Sequence, residues 1–246
     1  MRALVPETRL PSRPDPAADS DADDRLQALA ALVEQIDASY DAGDVDRLLF
    51  GVNVALLALP APAGAEDPLA PIELALTEVG ARAVRPSLFT EVDRGTAALF
   101  GQLYTVLYCD DSAAASVPVL ARASGRPVVC GLIRPGHRSR VLAQLLALRS
   151  WGRAIGHDVP LLPGGPGDAE VQSQLLAVAA ASGLALPWPP SPQSHDQRAL
   201  RIRRGSGGEP SLVMTGLSTL ELGAWRRCVE RYRRRVIQAA FLFAAR

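Results

Sequence analysis

The residues best suited to chemistry lie in two short polar turns in the middle of the chain. The first is Arg134-Pro-Gly-His-Arg-Ser-Arg140, which precedes a helical pattern. Backbone N–H groups and the positive end of a helix dipole would therefore add to its cationic side chains. Such a turn suits a phosphate or a carboxylate, and the anion-binding candidates are Arg134, His137, Arg138, Ser139 and Arg140.

The second turn is acidic and follows another run of β-forming residues. Asp110 and Asp111 come after residues 104–109, as the first turn comes after residues 127–133. If these two runs are neighbouring parallel strands, both turns open at the carboxyl edge of the sheet, where ligands of open α/β sheets bind. Asp110, Asp111 and His137 are then candidate catalytic groups. The alternative is that the Asp pair only caps the next helix.

No other catalytic pattern is present in the sequence. The three histidines and three cysteines share no metal-ligand spacing, so we predict no metal site and no cofactor. The basic residues are all arginine. The absence of lysine disfavours a P-loop nucleotidase and a pyridoxal enzyme that uses its own lysine.

The carboxy-terminal segment predicts a long amphipathic helix. Ser218 and Glu221 have the spacing of a capping box, and Trp225 and Tyr232 fall on its apolar seam. The partner-binding candidates on its polar side are Arg226, Arg227, Arg231, Arg234 and Arg235. These arginines favour a solvated face on a core helix; a nucleic-acid contact, a partner helix and an acidic membrane surface are alternatives. Nucleic acid is possible but not favoured, because the aromatic residues lie away from the arginines.

Charge is divided unevenly along the chain. Residues 1–100 hold 17 acidic and 8 basic side chains, a net charge of −9, and residues 101–246 hold the opposite excess of +9. The two halves either neutralise each other inside the molecule or offer surfaces of opposite sign to partners.

The elements that must position these residues are mostly helical. Apolar spacing predicts a helix from Arg25 and a second helix over 44–59, while strands alternate with helices from residue 104 onward. We therefore expect a helix-dominated α+β protein: a helical amino-terminal unit, a small α/β region with a possible parallel sheet, and the terminal amphipathic helix. An all-α fold is the alternative.

Four regions are expected. They are a disordered acidic arm over 1–23, a helical unit over 24–100, a small α/β region over 101–190, and a hairpin with the Arg-rich helix over 191–246, packed on the preceding region. No apolar run approaches the roughly 18 residues of a membrane-spanning helix. With no secretory signal and an odd number of cysteines, a cytoplasmic location is expected.

Because no catalytic motif appears, the pattern favours a non-enzymatic adaptor or assembly factor that contacts other protein subunits. The first alternative is a small α/β enzyme or sensor that binds a phosphorylated or carboxylated metabolite. The second is nucleic-acid binding through the terminal helix.

Overall fold

The computed structural model describes residues 16–60, 64, 67–87, 92–134, 136–155, 161–162, 165–186, 199–205, 210–215 and 218–246. The helices are α1 (Pro16–Ala42), α2 (Ala70–Thr77), α3 (Arg94–Leu103), α4 (Val117–Ala123), α5 (Arg138–Ile155), α6 (Ala169–Ala181) and α7 (Thr219–Ala245). The strands are β1 (Asn53–Leu57), β2 (Arg82–Val84), β3 (Val106–Cys109), β4 (Val128–Cys130), β5 (Leu161–Leu162), β6 (Ala199–Arg204) and β7 (Pro210–Thr215). Short 3-10 helices cover Val45–Arg47, Asp111–Ser116 and Pro166–Asp168.

Four strands form a parallel sheet in the order β2-β1-β3-β4. Residues 54–57 and 106–109 are fully buried without alternation, as expected for a parallel sheet that is covered on both faces. The expected strands near 104–109 and 127–133 are confirmed as parallel neighbours. This sheet excludes the all-α alternative.

The second helix expected over 44–59 is wrong, because β1 occupies that segment. Gly51 has a φ of +81°, which forms the turn before the strand. The apolar run of β1 misled the sequence interpretation because a short buried strand and a short buried helix have the same apolar content. The supposed helical unit therefore supplies two strands of the sheet, β1 and β2.

The two faces of the sheet pack against different helices. Val54, Leu56 and Tyr108 face a large core that includes residues of α1, α2, α5 and α7. Leu57 and Leu107 face a smaller core with residues of α3 and α4. Helix α3 begins at the N-cap Asp93, which accepts the Thr96 N–H.

A second sheet follows in the order β5-β6-β7. The expected hairpin is confirmed, since β6 and β7 pair antiparallel. Gln144 of α5 donates to the Pro210 carbonyl at 3.0 Å and accepts the Leu212 N–H at 2.8 Å. Because this buried amide joins α5 to β7, the long helix connects the two sheets.

Helix α7 begins with the expected capping box, in which Ser218 and Glu221 satisfy each other's backbone N–H groups. Its middle part is held by polar contacts with α1 and with the end of α2. Arg235 is buried and donates to Asp37, and its guanidinium carbon lies 3.0 Å from the centre of the Tyr40 ring. Arg235 is thus an internal contact, so its assignment to a partner-binding surface is wrong.

Helix α1 starts at Pro16, so the last residues of the expected disordered arm are helical, and residues 1–15 lie outside the described part of the chain. In the described residues, no helix is long and apolar enough to cross a membrane. The architecture is a helix-dominated α+β fold with a four-stranded parallel sheet and a long carboxy-terminal helix.

Candidate functional site

The two polar turns of the middle region meet at the carboxyl edge of the parallel sheet. Cys109 and Cys130 are register partners at the ends of β3 and β4, so the segments that follow them leave the sheet side by side. Nε of Arg134 lies 3.8 Å from Oδ2 of Asp111 across the gap. The acidic and the basic turn therefore form one site.

The two aspartates have different roles in this site. Asp110 is buried, and its carboxylate accepts the Ser112 N–H at 3.1 Å as the N-cap of the 3-10 helix Asp111–Ser116. The capping alternative is therefore correct for Asp110. The Asp111 side chain is about half exposed and faces Arg134, so it is the carboxylate open to a ligand.

The ring of His137 is held by Ser139, which follows it at the start of α5. Nδ1 of His137 accepts the Ser139 N–H at 3.2 Å and lies 2.7 Å from the Ser139 hydroxyl. The single proton of that hydroxyl can go either to Nδ1 or to the Leu132 carbonyl oxygen, which lies 3.2 Å away. Because Nδ1 is an acceptor, the neutral ring carries its proton on Nε2.

Burial lowers the pKa of His137, and the neighbouring Arg134 lowers it further while Asp111 raises it. The imidazole is therefore held neutral near pH 7, and Nε2–H is a hydrogen-bond donor. Such a group can bind an anion or a carbonyl oxygen without adding a full positive charge.

The His137 ring packs closely against the backbone of Gly131. Gly131 has a φ of +71°, and a Cβ at this position would lie 3.2 Å from Cδ2 and 3.6 Å from Nε2 of His137. The position needs glycine both for its left-handed backbone and for the close approach of the ring.

A pocket of about 440 Å³ opens beside this turn, between α2, α5 and α7. Its lining residues include three arginines, Arg140, Arg233 and Arg234, and two acidic residues, Asp67 and Glu230. Arg140 comes from the predicted anion-binding turn and Arg234 from the predicted partner-binding set. The tertiary structure thus brings together one residue of the anion-binding turn and one of the partner-binding arginines, which are about a hundred residues apart in sequence.

The charges in the pocket are partly compensated by other residues. Arg233 donates to Glu230 at 2.6 Å, and Arg234 donates to Glu78 at 2.7 Å. Nε of Arg233 is buried and has no hydrogen-bond partner among the described residues.

Other candidates lie outside this site. Arg138 pairs with Asp23 of α1 at 3.3 Å, and Arg231 donates to the Ser150 hydroxyl at 3.1 Å. Arg226 is exposed and is not among the residues that line the pocket. Ion pairs such as Arg149–Glu34 join the basic second half of the chain to the acidic first half.

Sequence reasoning missed two groups at the pocket, Arg233 and Asp67. Arg233 lies next to Arg234 in the carboxy-terminal helix, but nothing local distinguished it from its neighbours. Asp67 follows a Pro- and Ala-rich stretch of the sequence, and nothing local marked it as a site residue. Within the described residues, no group of three His, Cys, Asp or Glu side chains is placed to hold a metal ion.

Comparison with known proteins gives a likeness in structure only, since no family model and no curated sequence matches the chain. It is similar to ornithine carbamoyltransferase from Thermus thermophilus, with 18% identity and a TM-score of 0.53 over 90% of this chain and 94% of that one. It is also similar to anabolic ornithine carbamoyltransferase from Campylobacter jejuni, with 17% identity and a TM-score of 0.52 over 90% and 96%. A Trypanosoma cruzi protein assigned as an aspartate carbamoyltransferase gives 12% identity and a TM-score of 0.52 over 91% and 94%.

The fold is therefore a carbamoyltransferase-like α/β fold. At this level of identity the likeness defines the fold and not the reaction. This likeness contradicts the interpretation as a non-enzymatic adaptor, because that interpretation relied on the absence of a familiar motif, and the chain has a carbamoyltransferase-like fold. The findings agree better with the alternative of a small α/β enzyme or sensor.

Proposed function

We propose that the protein binds a small metabolite carrying a phosphate or a carboxylate at the carboxyl edge of its parallel sheet, as an enzyme or a sensor of that metabolite. The observation that carries this proposal is the convergence of Asp111, Arg134 and His137 beside a pocket that Arg140 lines. Ligand sites of open α/β sheets lie at this edge. The likeness to carbamoyltransferases supports a small-molecule ligand.

Each residue has a distinct role in the proposal. Arg134 and Arg140 supply charge-assisted hydrogen bonds to the anionic group, and the neutral His137 donates from Nε2. Asp111 orients Arg134 and accepts a hydrogen bond from a donor elsewhere on the ligand. Because Asp111 is the exposed carboxylate of the site, it is also the candidate general base.

The proposal is tested by ligand binding to the full chain. Thermal unfolding is followed with inorganic phosphate, acetyl phosphate and succinate, and with aspartate and ornithine, the amino acids in the neighbours' names. A ligand present at 100 times its Kd adds about 2.7 kcal/mol to the free energy of unfolding, which raises Tm by several degrees. Titration calorimetry then gives the Kd of each compound that raises Tm.

Two variants distinguish binding at this site from non-specific electrostatic attraction to the arginines. We expect Arg134→Gln to weaken binding of the anion about tenfold, which corresponds to the loss of about 1.4 kcal/mol. Arg226→Gln removes an exposed arginine outside the pocket and should leave the Kd unchanged. Equal losses in both variants, or no stabilisation by any of the five compounds, would reject the proposal. Association with other protein subunits stays a separate prediction.

A further inference from the structure

The two strands that carry the site both end in a cysteine. Cys109 is the last residue of β3 and Cys130 is the last residue of β4, and the two are register partners in the parallel sheet. Neighbouring strands lie about 4.8 Å apart. That separation is inside the range of about 4.4–6.8 Å between the Cα atoms of disulfide-bonded cysteines.

The two thiols lie on the same face of the sheet. Leu107 and Val128, the register pair two residues earlier, both pack in the core under α3 and α4. Side chains alternate along a strand, so Cys109 and Cys130 point to that same face. Cys109 is buried, whereas Cys130 is exposed. A reagent in solvent therefore reaches Cys130. The thiol of Cys109 lies on the neighbouring strand, at the paired position.

Closing a disulfide needs a small movement of one strand, since bonded cysteines have their Cβ atoms about 3.5–4.5 Å apart. β4 can supply it because it has only three residues and stands at one end of the described strand order. Gly131, which follows it, has a positive φ and begins the turn. The buried partner, Cys109, can stay in place.

We propose that Cys109 and Cys130 form an intramolecular disulfide when the protein is exposed to a peroxide. The ends of β3 and β4, next to the anion site, are then a redox modification site. The Cys130 thiolate attacks the O–O bond of hydrogen peroxide, which gives a sulfenic acid and releases hydroxide. The Cys109 thiolate then attacks the sulfenic sulfur and displaces a second hydroxide. Overall, two thiols and one peroxide give one disulfide and two waters.

The bond would act directly on the site described above. Asp111 is two residues beyond Cys109, and the turn with Arg134 starts directly after Cys130. A cross-link between the two strand ends changes the separation of Asp111 and Arg134. We therefore expect oxidation to weaken anion binding, and this consequence, unlike the bond itself, rests on the proposed function.

The reaction should be faster at high pH. Burial raises the pKa of Cys109 to about 12 and also raises the pKa of Cys130. The attacking thiolate is therefore a minor species at pH 7, and its fraction grows about tenfold for each pH unit below the pKa.

The test is peptide mapping of the full chain after treatment with hydrogen peroxide. Remaining thiols are alkylated, the protein is cleaved after arginine without reduction, and the peptides are measured by mass spectrometry. Cleavage at Arg122 separates the two cysteines, so the bond appears as a linked pair of peptides that dithiothreitol releases. We expect this pair with Cys228 alkylated, the same pair in Cys228→Ser, and none in Cys130→Ser.

Cross-links to Cys228, stable sulfinic acid at Cys130 without a link, or unchanged thiols at pH 9 would each overturn the proposal. The Kd for inorganic phosphate is measured on the oxidised and the re-reduced protein. If the cross-link forms and the Kd does not change, the redox site stands and its coupling to the anion site is rejected.

Discussion

Nδ1 of His137 accepts the backbone N–H of Ser139 at 3.2 Å. This contact fixes which ring nitrogen holds the proton, and it places the start of α5 and the imidazole in one rigid unit.

Stability should depend on pH through His137. Burial lowers the pKa of His137 in the folded protein below its ordinary value of about 6.5, so the unfolded chain binds more protons as the pH falls through that value. The contribution of His137 to the free energy of unfolding is complete above about pH 7.5. It is lost as the pH falls toward the pKa of His137 in the folded protein. Urea unfolding at pH 7.5 and 5.5 should show that the wild type loses more unfolding free energy between these two pH values than His137→Gln does. Equal losses would show that His137 is not the group responsible.

Gly131→Ala should disturb the site more than it disturbs the fold. The substitution costs about 1 kcal/mol for the left-handed backbone, and its Cβ pushes against the His137 ring. Gly125→Ala is the matched control, because Gly125 also has a positive φ but nothing lies within 4 Å of its Cβ position. Both variants should lose similar unfolding free energy by urea denaturation, and only Gly131→Ala should lose anion affinity. Similar affinities in both would contradict the contact with His137.

Asp37→Ala should be strongly destabilising. It leaves the buried guanidinium of Arg235 without a carboxylate that is itself only partly buried, a loss of about 1.5–3 kcal/mol. Glu34→Ala, one turn earlier on α1, breaks an exposed ion pair with Arg149 and should cost less than about 1 kcal/mol. Thermal unfolding compares the two, and each kcal/mol shifts Tm by about 2–4 °C in a chain of this size. A similar Tm for both variants would mean that the Arg235–Asp37 contact contributes no more to stability than an exposed ion pair.

Gly101→Ala should separate α3 from α4. A Cβ on Gly101 would lie 2.0 Å from the Ser124 carbonyl oxygen, so the helices must move apart, at about 1–3 kcal/mol. Gly95→Ala is on the same helix, where the nearest atom would be at an ordinary 3.6 Å, and it should stabilise the protein by up to about 1 kcal/mol. Urea denaturation should show a lower free energy of unfolding for Gly101→Ala and a higher one for Gly95→Ala. Stabilisation by both substitutions would contradict the close packing of these helices.

Features with a local cause were predictable from the sequence. The Ser218–Glu221 capping box satisfies backbone groups only three residues apart, and it forms as expected. The strands ending at Cys109 and Cys130 follow from runs of β-forming residues. Because parallel strands open their turns on one edge, the pairing of Asp111 with Arg134 could also be expected before the structure.

Long-range contacts decided the rest. The apolar spacing of residues 44–59 fits a helix as well as a strand, and β1 is a strand because β2 and β3 pair with it on both sides. Arg235 resembles its neighbouring arginines in the sequence, yet it is buried because Asp37, 198 residues away, accepts its hydrogen bond. The pocket between Arg140 and Arg233 exists only when α5 and α7 pack together. By itself, the sequence determined the local elements and the edge at which the turns open; tertiary packing decided which charges are buried, because burial depends on neighbours that are distant along the chain.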